Sequence, residues 1–352
     1  MMIAPLDVVC TGARTPLGLR SAPAAAALRA GINRLGEHPF LIDRLGNPMA
    51  AALDATLDPK LPPNDRLVAL AQHALAEIAE SLPDLAPGSR VPLLLALPEI
   101  RPGFAREDAA YVKARLAKTL GVRFELGEIG LYTSGHAGGA IALEDASAQL
   151  ARGIHDLCVV GGVDSYFHPE TMSWLDQHMQ LAGEDGRSSF VPGEGVCFLL
   201  LASRRARESL GLEPMGSIVS VGRGQERSLI KTKDLCLGEG LIAAVAAALQ
   251  GLGQGERVNS VICDVNGERY RAEEWGFVAL KLGAYFEDPG YLSPAGSWGD
   301  MGAASIPLFI MLACQAAARG YARGPRTMVW ASSEQGMRAA VVVQADVRVR
   351  GR

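Results

Sequence analysis

LYTSGHAGGAIALEDASAQLARGIHDLCVVGGVDS, residues 131 to 165, is the stretch whose reading decides the fold. A strand end, Leu131-Tyr132, runs into Thr133-Ser134-Gly135-His136, and Gly138 and Gly139 open an Ala-rich helix. After Arg152-Gly153, an apolar strand from Leu157 to Val160 ends in Gly161-Gly162. A strand, a tight turn and a helix put the turn residue at the positive end of the helix dipole. Backbone N–H groups there stabilise developing negative charge, which suits the site to a nucleophile. Here the elbow residue is a histidine, His136, where a cysteine or serine is expected.

Upstream, Val8-Val9-Cys10 predicts a strand leading into a turn over Thr11-Gly12-Ala13-Arg14-Thr15-Pro16-Leu17-Gly18, then an Ala-rich helix up to Gly31. The turn carries neither dinucleotide nor phosphate-loop glycine spacing, so it reads as structural. Residues 32 to 64 read as a long connection with short strand pieces. Asn64-Asp65 is the expected cap of a helix whose Leu67, Leu70, Ala71, Ala74, Leu75 and Ile78 recur at helical spacing. Val91 to Leu97 reads as a buried strand, Ala109 to Leu120 as an amphipathic helix, and Phe124 to Tyr132 as the strand entering the elbow.

Downstream, Tyr166 to Arg187 reads as polar and irregular. Phe190 to Leu201 predicts a turn, then a buried strand. Glu194 reads there as a turn glutamate bonding backbone amides beside the elbow, in preference to a catalytic group. Arg204 to Leu210 closes a first half, 1–210, and Pro214-Met215-Gly216 opens a second, 211–352. The second half predicts strands over Ser217–Val221 and Ser260–Asp264, with helices over Gly238–Leu249 and Ala272–Phe286. Trp298 to Ser305 is another turn-to-helix junction, into an apolar helix through Ala318. Thr327–Ala331 and Ala339–Val343 form a final strand pair. This alternation argues a layered α/β fold with covered sheets.

Several of these stretches together resemble the β-ketoacyl synthases, thiolase-fold enzymes that extend acyl chains by decarboxylative condensation. They are the Thr11–Gly18 turn, the helix after Asn64-Asp65, Val160-Gly161-Gly162-Val163-Asp164, and Pro192-Gly193-Glu194-Gly195. The resemblance spans nearly the whole chain. It implies a five-layered α/β/α/β/α fold of two similar halves, and it lays His136 on the family's cysteine. It also lays Asn266 and Asp300 on the two histidines that stabilise the enolate, and Ala295 on the lysine. The loop that supplies an oxyanion amide in the family corresponds to Ser333-Glu334-Gln335-Gly336-Met337-Arg338. One count is independent of that correspondence: the six histidines end at His178, so the second half supplies none. His136, Asn266, Asp300 and Glu334 are therefore candidates for a vestigial pocket, with no confident catalytic residue.

Composition narrows the classes. The 352 residues are 49% hydrophobic and 20% charged, with a net charge of −4, which gives no electrostatic case for nucleic-acid binding. No apolar run reaches membrane-spanning length, and the start reads as no signal peptide. Cys10, Cys158, Cys197, Cys236, Cys263 and Cys314 lack metal-ligand or redox spacing and read as reduced thiols of a cytoplasmic protein, without metal or cofactor. The leading expectation is a synthase-like pseudoenzyme that acts as a binding or assembly partner. It would meet an acyl chain, an acyl carrier protein or a synthase-like chain, as homodimer or heterodimer. The alternatives are an acyltransferase or hydrolase using His136 as general base, and an accessory protein of a bacterial secretion cluster.

Overall fold

The computed structural model describes residues 3–82, 85, 89–119, 124–183, 186–229 and 235–346. It opens with β1 (Leu6–Arg14), α1 (Ser21–Arg29), a hairpin of β2 (Gly36–Ile42) and β3 (Pro48–Ala51), and α2 (Pro63–Ser81). β4 (Arg90–Ala96), α3 (Arg106–Leu116), β5 (Glu125–Tyr132) and α4 (Gly138–Ala151) lead to β6 (Leu157–Ser165), α5 (Pro169–Gln177), β7 (Glu194–Ala202) and α6 (Arg204–Leu210). β8 (Gly216–Gln225), α7 (Glu239–Leu249), β9 (Ser260–Cys263), α8 (Arg269–Leu282) and β10 (Tyr291–Leu292) follow. α9 (Ala295–Trp298), α10 (Ser305–Ala318), β11 (Arg326–Ser332) and β12 (Met337–Gln344) complete the chain.

The strands lie in the order β10-β9-β11-β12-β8-β1-β7-β6-β4-β5. Read outward from the β8/β1 junction, the two sets of five repeat the same pattern. Each first strand (β1, β8) pairs antiparallel with the last of its set (β7, β12), and the last pairs antiparallel with the one before it. The remaining neighbours are parallel. Among the described residues, the two sets pair through Leu6–Val8 of β1 against Gly216–Ile218 of β8.

Strand alternation explains the layering, because successive side chains point to opposite faces. Leu93, Leu95 and Val159 meet α2 and α3 through Leu70, Leu75 and Val112. Leu94 and Val160 face the other way, toward α4 and α10, where Val329 and Val341 of the second sheet also pack. Val261, Met328 and Val342 then cover α7 and α8 through Leu241, Val245 and Val278. Five layers result, with α4 and α10 between the sheets. Among the described residues, no helix is long and apolar enough to cross a membrane.

Several local expectations are corrected. β1 does not turn at Thr11; it runs on to Arg14, and the turn closes through reciprocal Thr15–Gly18 backbone bonds. α2 starts at Pro63 with no side-chain cap; Asn64 instead donates to Asp108 at 2.6 Å. Proline suits this first position because its missing N–H has no partner there anyway. α3 begins and ends earlier than expected, and Leu120 lies outside the described residues. α8 likewise starts at Arg269 and stops at Leu282.

The stretch read as irregular holds α5, capped by His168, whose Nδ1 accepts the Glu170 N–H. Met172 and Leu175 of α5 are buried with Tyr166 and Phe167. Glu184 and Asp185 of that stretch are not described. Gly161 and Gly162 do not end β6. A Cβ there would lie 2.1 Å from the Cys197 carbonyl oxygen and 2.0 Å from that of Ala303, so only glycine lets those backbones approach.

Candidate functional site

The elbow forms as the sequence predicts. β5 ends at Tyr132, Gly135–Ala137 make one turn of 3₁₀ helix, and α4 follows. A matching junction, Gly302–Ala304, precedes α10. The two stand face to face, with Asp164 at the end of β6 accepting the Ala303 N–H at 2.9 Å.

His136 is buried at this meeting point, and its Nε2 donates to Oδ1 of Asp300 at 2.7 Å. The same oxygen accepts from the Tyr166 hydroxyl at 3.1 Å and the Gly302 N–H at 2.8 Å. Asn266 donates its Nδ2 to the other oxygen at 2.6 Å, and its own Oδ1 accepts the Glu268 N–H. Two of the residues singled out in the sequence, His136 and Asn266, therefore converge on the carboxylate of a third, Asp300. Glu334, in the β11–β12 turn, lines the adjoining cleft and accepts from Gln180 at 3.2 Å. Ala295 sits partly exposed in α9 and brings no functional group to the cluster.

The two groups of the pair shift each other's titration in opposite directions. Burial alone would pull the His136 pKa down, but the Asp300 charge outweighs it and the net shift is upward. Burial would raise Asp300, yet the His136 charge and hydrogen bond, Arg271 and the Gly302 amide hold it well below the usual carboxylate range. Both shifts favour imidazolium facing carboxylate. With Nε2 committed to Asp300, any proton transfer at His136 would run through Nδ1.

Further buried charges surround the pair, and sequence reading missed them. Arg101 donates to Asp164 at 2.7 Å and lies over the Tyr166 ring at 4.3 Å. Arg271 bridges Asp264 and Glu268, and Arg338 binds Glu274 through two nitrogens at 2.6 and 2.7 Å. Asp164 and Asp264 stood at the ends of apolar strands, a signal available in the sequence. Glu274 and Arg338 carried none. Glu194 is corrected as well: it accepts one backbone amide, Asp54, but its main partner is Arg66 of α2, at 2.5 and 3.2 Å.

The cleft over His136 has a volume of about 230 Å³, lined by Glu99, Arg101, Asp164, Tyr166, Trp174 and Glu334 among others. Ligand pockets usually run from about 300 to 1,000 Å³ with mostly apolar walls. This cleft is smaller, and Ile100, Pro102 and Leu229 add apolar wall beside the charged groups. No thiol replaces the missing nucleophile. Burial pushes Cys10, Cys158, Cys236 and Cys314 up to about 12, and Cys197 and Cys263 well above the ordinary thiol value. Such thiols stay protonated near neutral pH and are unreactive. Glu226, Cys236 and Glu274 are close enough to hold a metal ion. However, Glu274 is paired with Arg338, and Glu226 accepts the N–H groups of Arg227, Ser228 and Gly240.

The elbow and its matching junction stand between two half-sheets that repeat one strand order. Comparison with known proteins agrees. Residues 98–206 match the β-ketoacyl synthase N-terminal domain. The ishigamide ketosynthase/chain length factor superposes with a TM-score of 0.78 at 14% identity, covering 97% of this chain and 99% of that one. A type II polyketide synthase acyl carrier protein in complex with its ketosynthase bound to the hexaketide gives 0.75 at 14%, over 97% and 99%. A ketosynthase in complex with its chain length factor from Xenorhabdus doucetiae gives 0.71 at 14%, over 97% and 98%. The search of curated protein sequences gives no match. Residues 98–206 are thus similar to the β-ketoacyl synthase N-terminal domain, and the chain as a whole has the thiolase-like α/β/α/β/α fold of these ketosynthase structures.

Proposed function

We propose that this chain is a non-condensing synthase-like subunit that pairs, sheet edge to sheet edge, with a second synthase-like chain. The observation that carries the reading is the elbow itself: its turn position holds a buried histidine hydrogen-bonded to Asp300 in place of a thiol or hydroxyl. Neither thioester formation nor enolate stabilisation has the groups it needs, since Asn266 and Asp300 stand on the histidine positions. The cleft's small volume also disfavours a long acyl chain. An acyl carrier protein would then serve the partner's site. In this reading the halves 1–210 and 211–352 persist as scaffold.

The pairing surface is β5. It closes one end of the strand order, and among the described residues its outer edge bonds to no other strand. Ile129 is buried inward, whereas Leu126, Leu131 and Tyr132 are half-exposed, and no proline or lysine interrupts the strand. Open edges of this kind are normally covered or charged. Two of the compared structures hold a ketosynthase with a chain length factor, which supports a two-chain assembly by analogy alone. Without another partner, the chain is expected to pair with itself, the commonest closed arrangement. Light scattering should give twice the 37.1 kDa chain mass, and the Leu126→Lys/Leu131→Lys variant should give the single-chain mass. A wild-type monomer, or a dimer indifferent to those lysines, overturns the pairing.

A further inference from the structure

The floor of the cleft is already occupied, by the protein itself. Glu99 follows β4 and its side chain turns in beside His136. Its Oε2 accepts the Glu334 N–H at 3.0 Å and its Oε1 accepts the Gln335 N–H at 3.1 Å. Two successive peptide N–H groups aimed at the two oxygens of one carboxylate form a small anion cradle. The turn that presents them closes at Gly336, whose φ of +99° is a conformation that glycine adopts readily.

The surroundings are shaped to the same side chain. Gly135 has φ +56°, and a Cβ there would stand 2.9 Å from the Glu99 Cγ. Ser333 fixes the rest of the contact: its Oγ accepts the Ala137 N–H at 2.9 Å and donates to the Ser134 carbonyl at 2.6 Å. The β11–β12 turn and the elbow are thus clamped together, with the carboxylate between them. The Arg101 Nε, which is buried nearby, has no hydrogen-bond partner. Burial raises the Glu99 pKa, although the His136 charge and the two amides pull it back, so this carboxylate is held at a desolvation cost.

We infer that the Glu334–Gln335 amide pair is a carboxylate-binding site whose built-in occupant is Glu99, and that a small carboxylate takes the place of the side chain when it is removed. While Glu99 is in place, no ligand oxygen reaches the two amides next to His136. The site is closed from within, independently of the subunit reading above.

The test uses the full-length chain as Glu99→Ala, melted in sodium acetate and in sodium chloride of equal ionic strength. The variant should melt below wild type and recover several degrees in acetate but not in chloride, while wild type responds equally to both salts. Amide resonances of Glu334 and Gln335 should shift with acetate in the variant alone. Equal responses to the two salts, or recovery that leaves those two resonances unmoved, overturns the proposal. If Glu99→Ala does not fold, Glu99→Gln keeps the shape and one acceptor. Hydrogen exchange across residues 334–335 should then be faster than in wild type, and unchanged exchange overturns the proposal equally.

Discussion

A charged histidine and a carboxylate buried together cost a great deal to separate. Removing one partner leaves the other as an uncompensated charge, worth about 3–5 kcal/mol in comparable buried pairs. His136→Ala should lose an amount of that order in urea unfolding, since Asp300 is shielded from water. The pH dependence follows from the two shifts. The His136 pKa is raised, so its contribution is complete below the unfolded value of about 6.5 and is lost as pH rises through the higher folded value. The Asp300 pKa is depressed, so its contribution is present above about 3.9 and is lost as pH falls through the lower folded value. Arg271, Asp264, Glu99 and Tyr166 also act on the pair and are present in both proteins. The stability gap between wild type and variant should be widest between about pH 4 and 6.5 and shrink at higher pH. A gap that widens toward alkaline pH contradicts the ion pair. At this scale the elbow turn marked His136, and the resemblance to the synthases marked Asn266 and Asp300. It hid Glu99, whose partners are more than two hundred residues away and leave no local pattern.

Elements meet through glycines where the two junctions interlock. A Cβ on Gly302, at φ +47°, would stand 1.9 Å from the Asp164 carboxylate, and one on Gly139 would stand 2.9 Å from Pro307. Gly302→Ala combines a left-handed backbone with a clash against a carboxylate held by Arg101 and the Ala303 amide. Its expected cost is more than about 3 kcal/mol, read by thermal or urea unfolding; a near-neutral effect refutes the close packing of the two junctions. β5, the elbow and α4 were legible because apolar runs, glycines and alanines each carry a local rule. α5 was not, because only a few of its residues are buried, among neighbours of mixed polarity. β6 was cut short in the reading because its glycines looked like a terminus, when they serve close approach to β7 and the second junction. β10, two residues long, has no periodicity to read.

At the scale of the whole molecule, both halves build the same strand order around α4 and α10. The alternation of strands and helices made the layered class readable, but the strand order came only with the three-dimensional fold. Long-range pairs such as Arg66–Glu194, which ties α2 to β7, hold this architecture without any signature in the sequence. Arg66→Ala should therefore destabilise the fold by about 3–5 kcal/mol without altering the assembly mass. A loss well below 1 kcal/mol contradicts the assigned role. The central claim is that the elbow no longer carries a nucleophile. Intact-mass spectrometry after incubation with an acyl-carrier-protein thioester tests it most directly. The account predicts a mass unchanged from the free chain, and a stable acyl adduct on any residue of the elbow contradicts it.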